Sequence, residues 1–238
     1  MNYFAHALHF LDQPYFAAGT AVPDWLSVVD RRVRLRSKHV EPLLSDPDPC
    51  VAALAGGILQ HLHDDAQFHE SRAFVELSLE LTAMARDALG ADCGFQASFL
   101  GHLLVEVLLD ASLVAEDGDR LEAYYRALES VDTRQVEQAV NRMAPRPTER
   151  LATMICEFRR LRILSDYLED GKLMVRLGQV MRRVKLGPLP EGFRQVLPQA
   201  RRLVENRKRE LLEGIPTSAD KSGHNPNQIE RRKPCASE

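Results

Sequence analysis

The stretch FLGHLLVEVLLDASLV, residues 99–114, decides the fold. Its only charged or ionisable residues are His102, Glu106 and Asp110. All other positions are apolar or small, and a helix apolar on nearly every side belongs in an interior. The three exceptions stand at i, i+4 and i+8, so they share one face of that helix. Carboxylates buried there are costly unless they are paired or bind a metal. The stretch therefore predicts a central helix carrying an internal polar stripe.

A second stripe lies upstream. HLHDDAQFH, residues 61–69, holds three of the chain's eight histidines and two aspartates. His61, Asp65 and His69 repeat the i, i+4, i+8 spacing, whereas His63 points elsewhere and Asp64 flanks the stripe. Facing stripes inside a helical bundle are how carboxylate–histidine metal sites are built. Histidine and oxygen ligands without thiolate suit manganese, iron, zinc or magnesium. Three other readings stay open: the stripes are buried ion pairs, the His63–Asp64 doublet supplies ligands, or two irons sit between the stripes in an oxidative enzyme. His6, His9 and Asp24 are further candidates, and His39 and His224 are assigned no role.

Around these stripes the pattern is helical nearly throughout, and no sustained strand alternation occurs. The fold class read from it is all-α, with residues 1–215 as one domain. Helices are expected over 24–37 (starting at Asp24), 51–89 as one or two, 95–115, 120–143, 148–168, 172–185 and 193–213. Gly90 is placed to terminate the second of these. From Pro216 the chain is polar and has little to bury, so 216–238 is read as a disordered tail.

Composition narrows the class. The chain has 238 residues, 45% of them hydrophobic and 27% charged, as a soluble globular protein does. Its four cysteines form no C-x-x-C pair, which argues against thiolate zinc and a disulfide framework. With no signal-peptide pattern and no apolar run of membrane-spanning length, a cytoplasmic location is expected. Neither a membrane nor a nucleic acid is expected as partner. Charge is unevenly spread: residues 1–141 carry 10 Lys/Arg against 22 Asp/Glu, and residues 142–214 carry 17 against 9. A basic C-terminal half attracts acidic partners or phosphates, or is simply a solvated helical surface.

The N-terminus adds a resemblance. Met1-Asn2-Tyr3, Ala5-His6, and Gly19 followed by Asp24 resemble the opening of the acyl carrier protein phosphodiesterase family. Gly57, His61 and Asp65 are similar to its next motif, and His102-Leu103-Leu104 to its later histidine run. The likeness covers about the first 115 residues. It implies an all-helical, HD-like hydrolase using a divalent metal, manganese first. That metal helps release the phosphopantetheine arm from acyl carrier protein, an acidic partner. It also implies catalytic roles for Asp24, His61 and Asp65, metal ligation by His6, Asp24, His61 and Asp65, and a supporting His102. Leu62, Phe68-His69 and Gly101 stand where the family has arginine, Thr-Asp and aspartate. The additional His69, Glu106 and Asp110 enlarge the expected ligand set toward two metals.

Overall fold

The computed structural model describes residues 1–90 and 93–213, and no strand occurs among them. The predicted disordered tail lies outside the described residues. The helices run α1 (Tyr3–Ala7), α2 (Pro14–Val29), α3 (Ser37–Val40), α4 (Pro49–Glu70), α5 (Arg72–Leu89), α6 (Phe95–Glu116), α7 (Gly118–Glu129), α8 (Thr133–Met143), α9 (Leu151–Leu161), α10 (Asp170–Val184), α11 (Leu197–Asn206) and α12 (Lys208–Leu211). Single 3₁₀ segments at Glu41–Ser45, Ile163–Leu168 and Glu191–Val196 join some of them.

The all-α reading holds, and α6 lies at its centre. Leu100, Leu104, Val105 and Leu109 are fully buried, and the helix packs on α5, α11, α1 and the 163–168 segment. By length and mean hydropathy (1.6) α6 could also cross a membrane, a property the sequence reading did not credit to any segment. Here 67% of its apolar window is buried inside the protein.

Local boundaries follow capping chemistry. Asp48 accepts from the Cys50 amide at 2.8 Å to start α4. Ser71 Oγ accepts from the Phe74 amide at 3.2 Å, dividing 51–89 into two helices. Asp132 caps α8 in the same way, through the Arg134 amide at 2.8 Å, and so splits 120–143. Each cap satisfies amides that the first helical turn cannot. Gly90, at φ 90°, ends α5 as expected. Arg162, at φ 45°, ends α9 early and converts 163–168 to a 3₁₀ turn.

The expected helix 24–37 is corrected. Pro14 occupies the first turn of α2, which continues through Pro23 to Val29. Proline's fixed φ suits a first turn. The cost of Pro23 inside the helix is offset by burial of Ala17, Ala18, Val22, Trp25 and Leu26. Asp24 is therefore an interior helical residue. Residues 30–36 leave the helix and carry Arg31 and Arg34 past its end.

α2 and α4 pack closely against each other. A Cβ built on Gly19 would lie 3.0 Å from the Gly57 Cα and collide with the Leu54 carbonyl. One on Gly57 would collide with the Phe16 carbonyl. Only glycine permits this backbone approach, and it brings Thr20 of α2 against His61 of α4.

Candidate metal centre

The first cluster joins α1 to α4. One nitrogen each of His6 and His61 and an Asp65 oxygen all lie within 4.8 Å of one another, and the two Nε2 atoms stand 3.2 and 3.4 Å from Asp65 oxygens. His6 and His61 are buried and their rings stack at a centroid distance of 4.1 Å. Each ring is oriented from behind. The His61 Nδ1–H donates to the Thr20 carbonyl at 2.7 Å, which leaves Nε2 as its unprotonated nitrogen in the neutral form. His6 Nδ1 faces Asp64 Oδ2 at 3.3 Å, and Asp64 also accepts from Gln60 Nε2 at 2.6 Å. A carbonyl or carboxylate holding the far nitrogen is the usual outer support of a metal-binding histidine. His6 Nε2 is buried without a hydrogen bond, although Asp65 Oδ1 is 3.2 Å away.

The second cluster joins α4 to α6. His69 Nε2 is 2.9 Å and His102 Nε2 3.2 Å from the same atom, Glu106 Oε1. It is more open than the first, with the His102 side chain 46% exposed. The two predicted stripes thus converge but divide: His61 and Asp65 pair with His6, while His69 turns to His102 and Glu106.

A cation already sits between the clusters. The Met1 amino nitrogen is buried 2.7 Å from Asp65 Oδ1 and 3.6 Å from Glu106 Oε1. Burial works against its charge, but Glu106 and Asp65 outweigh this and raise its pKa. Burial would likewise raise the two carboxyls. Instead, the His6 and His61 rings beside it and the Met1 ammonium hold Asp65 far below the usual carboxylate range. The amino group, His102 and His69 hold Glu106 at about 2.

Asp24 behaves in the opposite way. Its Oδ2 is buried with no hydrogen-bond partner. Burial, and then the charges of Asp65 and Glu106, push its pKa up to about 7 against the pull of His61. Neighbouring carboxyls whose environments drive their pKa values apart are the pattern of an acid–base site. Asp24 also lines two cavities. One, of about 370 Å³, includes His61, Leu62, Asp65, Arg31 and Arg34. The other, of about 300 Å³, includes Glu106.

Two expected ligands are reassigned. Asp110, fully buried, accepts from the Phe4 amide at 3.0 Å and the Ala5 amide at 2.8 Å. Both its oxygens cap α1, which has no cap of its own, so it belongs to neither cluster. Burial lifts its pKa to about 7 against those two hydrogen bonds. The His63–Asp64 doublet is divided, since His63 is exposed and Asp64 is buried behind His6. His9 joins neither cluster.

Sequence reasoning missed Thr20, Gln60, the Met1 amino group, Arg31 and Arg34. Thr20 and the Met1 amino group act through backbone atoms far away in sequence, whereas Gln60 stands four residues before Asp64, a spacing the sequence did offer. The RRVRLR run (31–36) was visible, but its place beside Asp24 was not. Gly101 stands where α6 meets α5, and a Cβ there would lie 2.6 Å from the Ser78 carbonyl. Leu62 shares a cavity with two arginines from the 30–36 segment. Compared with protein families, with characterised proteins and with solved structures, the chain matches none.

Proposed function

We propose that this protein is a divalent-metal-dependent phosphoester hydrolase whose metal is held by His6, His61 and Asp65, with Asp24 beside it. The observation that carries the reading is the supported histidine pair. Two buried imidazoles present their Nε2 atoms to one carboxylate, while their Nδ1 atoms are held by Asp64 and Thr20. The orphaned Oδ2 of Asp24 and the ammonium held by Asp65 and Glu106 support a site built for positive charge. The donor set suits manganese, iron, zinc or magnesium, and His69, His102 and Glu106 are the ligands for a second ion.

A divalent ion at such a site supplies Lewis acidity and a water nucleophile near neutral pH. The chain's own groups do the rest. Arg31 and Arg34 bind the phosphoryl oxygens from the wall of the 370 Å³ cavity, a role guanidinium geometry suits. Asp24, whose Oδ2 has no hydrogen-bond partner, takes a proton from the attacking water and returns it to the leaving oxygen. Asp64 and Thr20 keep both histidines in the tautomer that leaves Nε2 open.

The resemblance adds acyl carrier protein as a substrate. The last turn of α10 carries exposed Arg182 and Arg183, a docking surface for an acidic partner. Charge reversal at both should slow association at low salt, and an unchanged rate would remove that partner.

The test of the reading is elemental analysis beside hydrolysis of bis(p-nitrophenyl) phosphate. Wild type should retain a stoichiometric divalent metal and release p-nitrophenol, and Asp65→Ala should lose both. A protein that binds no metal even after reconstitution would refute it. One specific observation favours a second reading: each cluster is two histidines and one carboxylate, a set also used by non-haem iron oxygenases. Iron-dependent visible absorbance with oxygen consumption would select that reading over hydrolysis.

A further inference from the structure

The hydrolase reading leaves the second cavity beside Asp24 unused, and the inference drawn from it rests on that reading. The 300 Å³ cavity shares Asp24 and Ser27 as wall with the cavity that holds Arg31 and Arg34. A substrate phosphorus held at Asp24 therefore borders both the arginine cavity and this second space. The second space has a different chemistry. Leu103 and Val107 of α6, Met154 of α9, Ile163 of the 163–168 segment and Val180 of α10 give it hydrocarbon over part of its wall.

Of the polar side chains that line it, Tyr167 and Arg176 are committed already, and Asn2, Gln179 and Arg183 line it as well. The Tyr167 hydroxyl accepts from Asn2 Nδ2 at 3.3 Å. Arg176 is held by Asp166 through Nε at 2.8 Å, and by Gln179 at 3.1 Å. Hydrocarbon loses nothing there and gains from leaving water. The volume is at the small end of ligand sites, so it suits a short chain.

We propose that the substrate is a phosphoester whose organic group carries a short unbranched apolar chain, lodged between α6, α9 and α10 while its phosphate sits at Asp24 and the arginines. This differs from an amide-rich phosphopantetheine arm, so the two substrate classes can be told apart.

The experiment is calorimetric binding of methyl phosphate, octyl phosphate and 4′-phosphopantetheine to the metal-loaded protein. Each methylene that enters the cavity should tighten binding by about fourfold, so octyl phosphate should bind at least tenfold more tightly than methyl phosphate. The 4′-phosphopantetheine affinity should stay near that of methyl phosphate. Met154→Trp, which fills the cavity away from the metal ligands, should erase the octyl advantage and leave metal content and methyl phosphate binding unchanged. Val180→Phe gives a second filling variant should Met154→Trp fail to fold. Equal binding of octyl and methyl phosphate would overturn the inference, as would tightest binding of 4′-phosphopantetheine or an octyl advantage that survives both variants. Each of those results leaves metal binding and hydrolysis standing. Loss of metal and of bis(p-nitrophenyl) phosphate turnover would instead remove the hydrolase reading itself.

Discussion

Replacing Asp24 by asparagine should stabilise the metal-free protein while disabling it. The Asp24 carboxyl has an ordinary pKa of 3.8 and is pushed up to about 7, first by burial and then by the charges of Asp65 and Glu106. A carboxyl whose folded pKa lies above its unfolded value favours folding least where it must be ionised. Below pH 3.8 both states are protonated and no cost arises. As pH rises toward 7 the unfolded chain releases its proton and the folded one does not, so stability falls across that window and stays low above it. A rise from 3.8 to about 7 corresponds to about 4 kcal/mol at most. Asparagine is isosteric and never charged. In the presence of chelator at pH 8, Asp24→Asn should therefore gain up to about 4 kcal/mol, and near pH 4 almost nothing. For a domain of this size each kcal/mol moves Tm by about 2–4 °C. Saturating manganese should reverse the order, because metal binding stabilises the wild type by mass action and the variant lacks the anionic oxygen. The assay is thermal unfolding at pH 4, 6 and 8, with chelator and with manganese. A chelated variant that melts below wild type at pH 8 would refute the reasoning, since Asp24 would then contribute favourable contacts rather than buried charge.

Three further outcomes follow from the same geometry. His61→Ala should abolish metal retention and His63→Ala should leave it intact, read by elemental analysis, because only the first ring is buried and held at Nδ1 by Thr20. Asp110→Ala should cost about 2–4 kcal/mol in denaturant unfolding, since it strands the buried Phe4 and Ala5 amides; a loss under 1 kcal/mol would show that α1 does not depend on this cap. Gly57→Ala should destabilise by about 1–3 kcal/mol through the clash with the Phe16 carbonyl, and a variant as stable as wild type would show that the α2–α4 crossing can relax.

Helical class, the burial of α6 and the existence of two polar stripes were legible in the residues alone. Period and composition carry that information: His102 and Glu106 are conspicuous because everything around them is apolar, and His61, Asp65 and His69 because four-residue spacing puts them on one face. Caps were partly legible too, since Asp48 and Gly90 act within one turn of their own positions. The tertiary structure decided everything that depends on which helix faces which. Spacing treats Asp110 and Glu106 as equivalents, yet Asp110 lies level with the start of α1 and is consumed by two amides. It treats Asp24 as a helix start, whereas burial of Trp25 and its neighbours carries α2 through Pro23 and leaves the carboxyl inside. His6 meets His61 only because α1 and α4 come together across 55 residues of chain, an approach aided by two glycines that let α2 settle on α4. A sequence states which faces a helix has. The partner of each face is set by packing the whole chain at once, and the metal centre proposed here is a property of that packing.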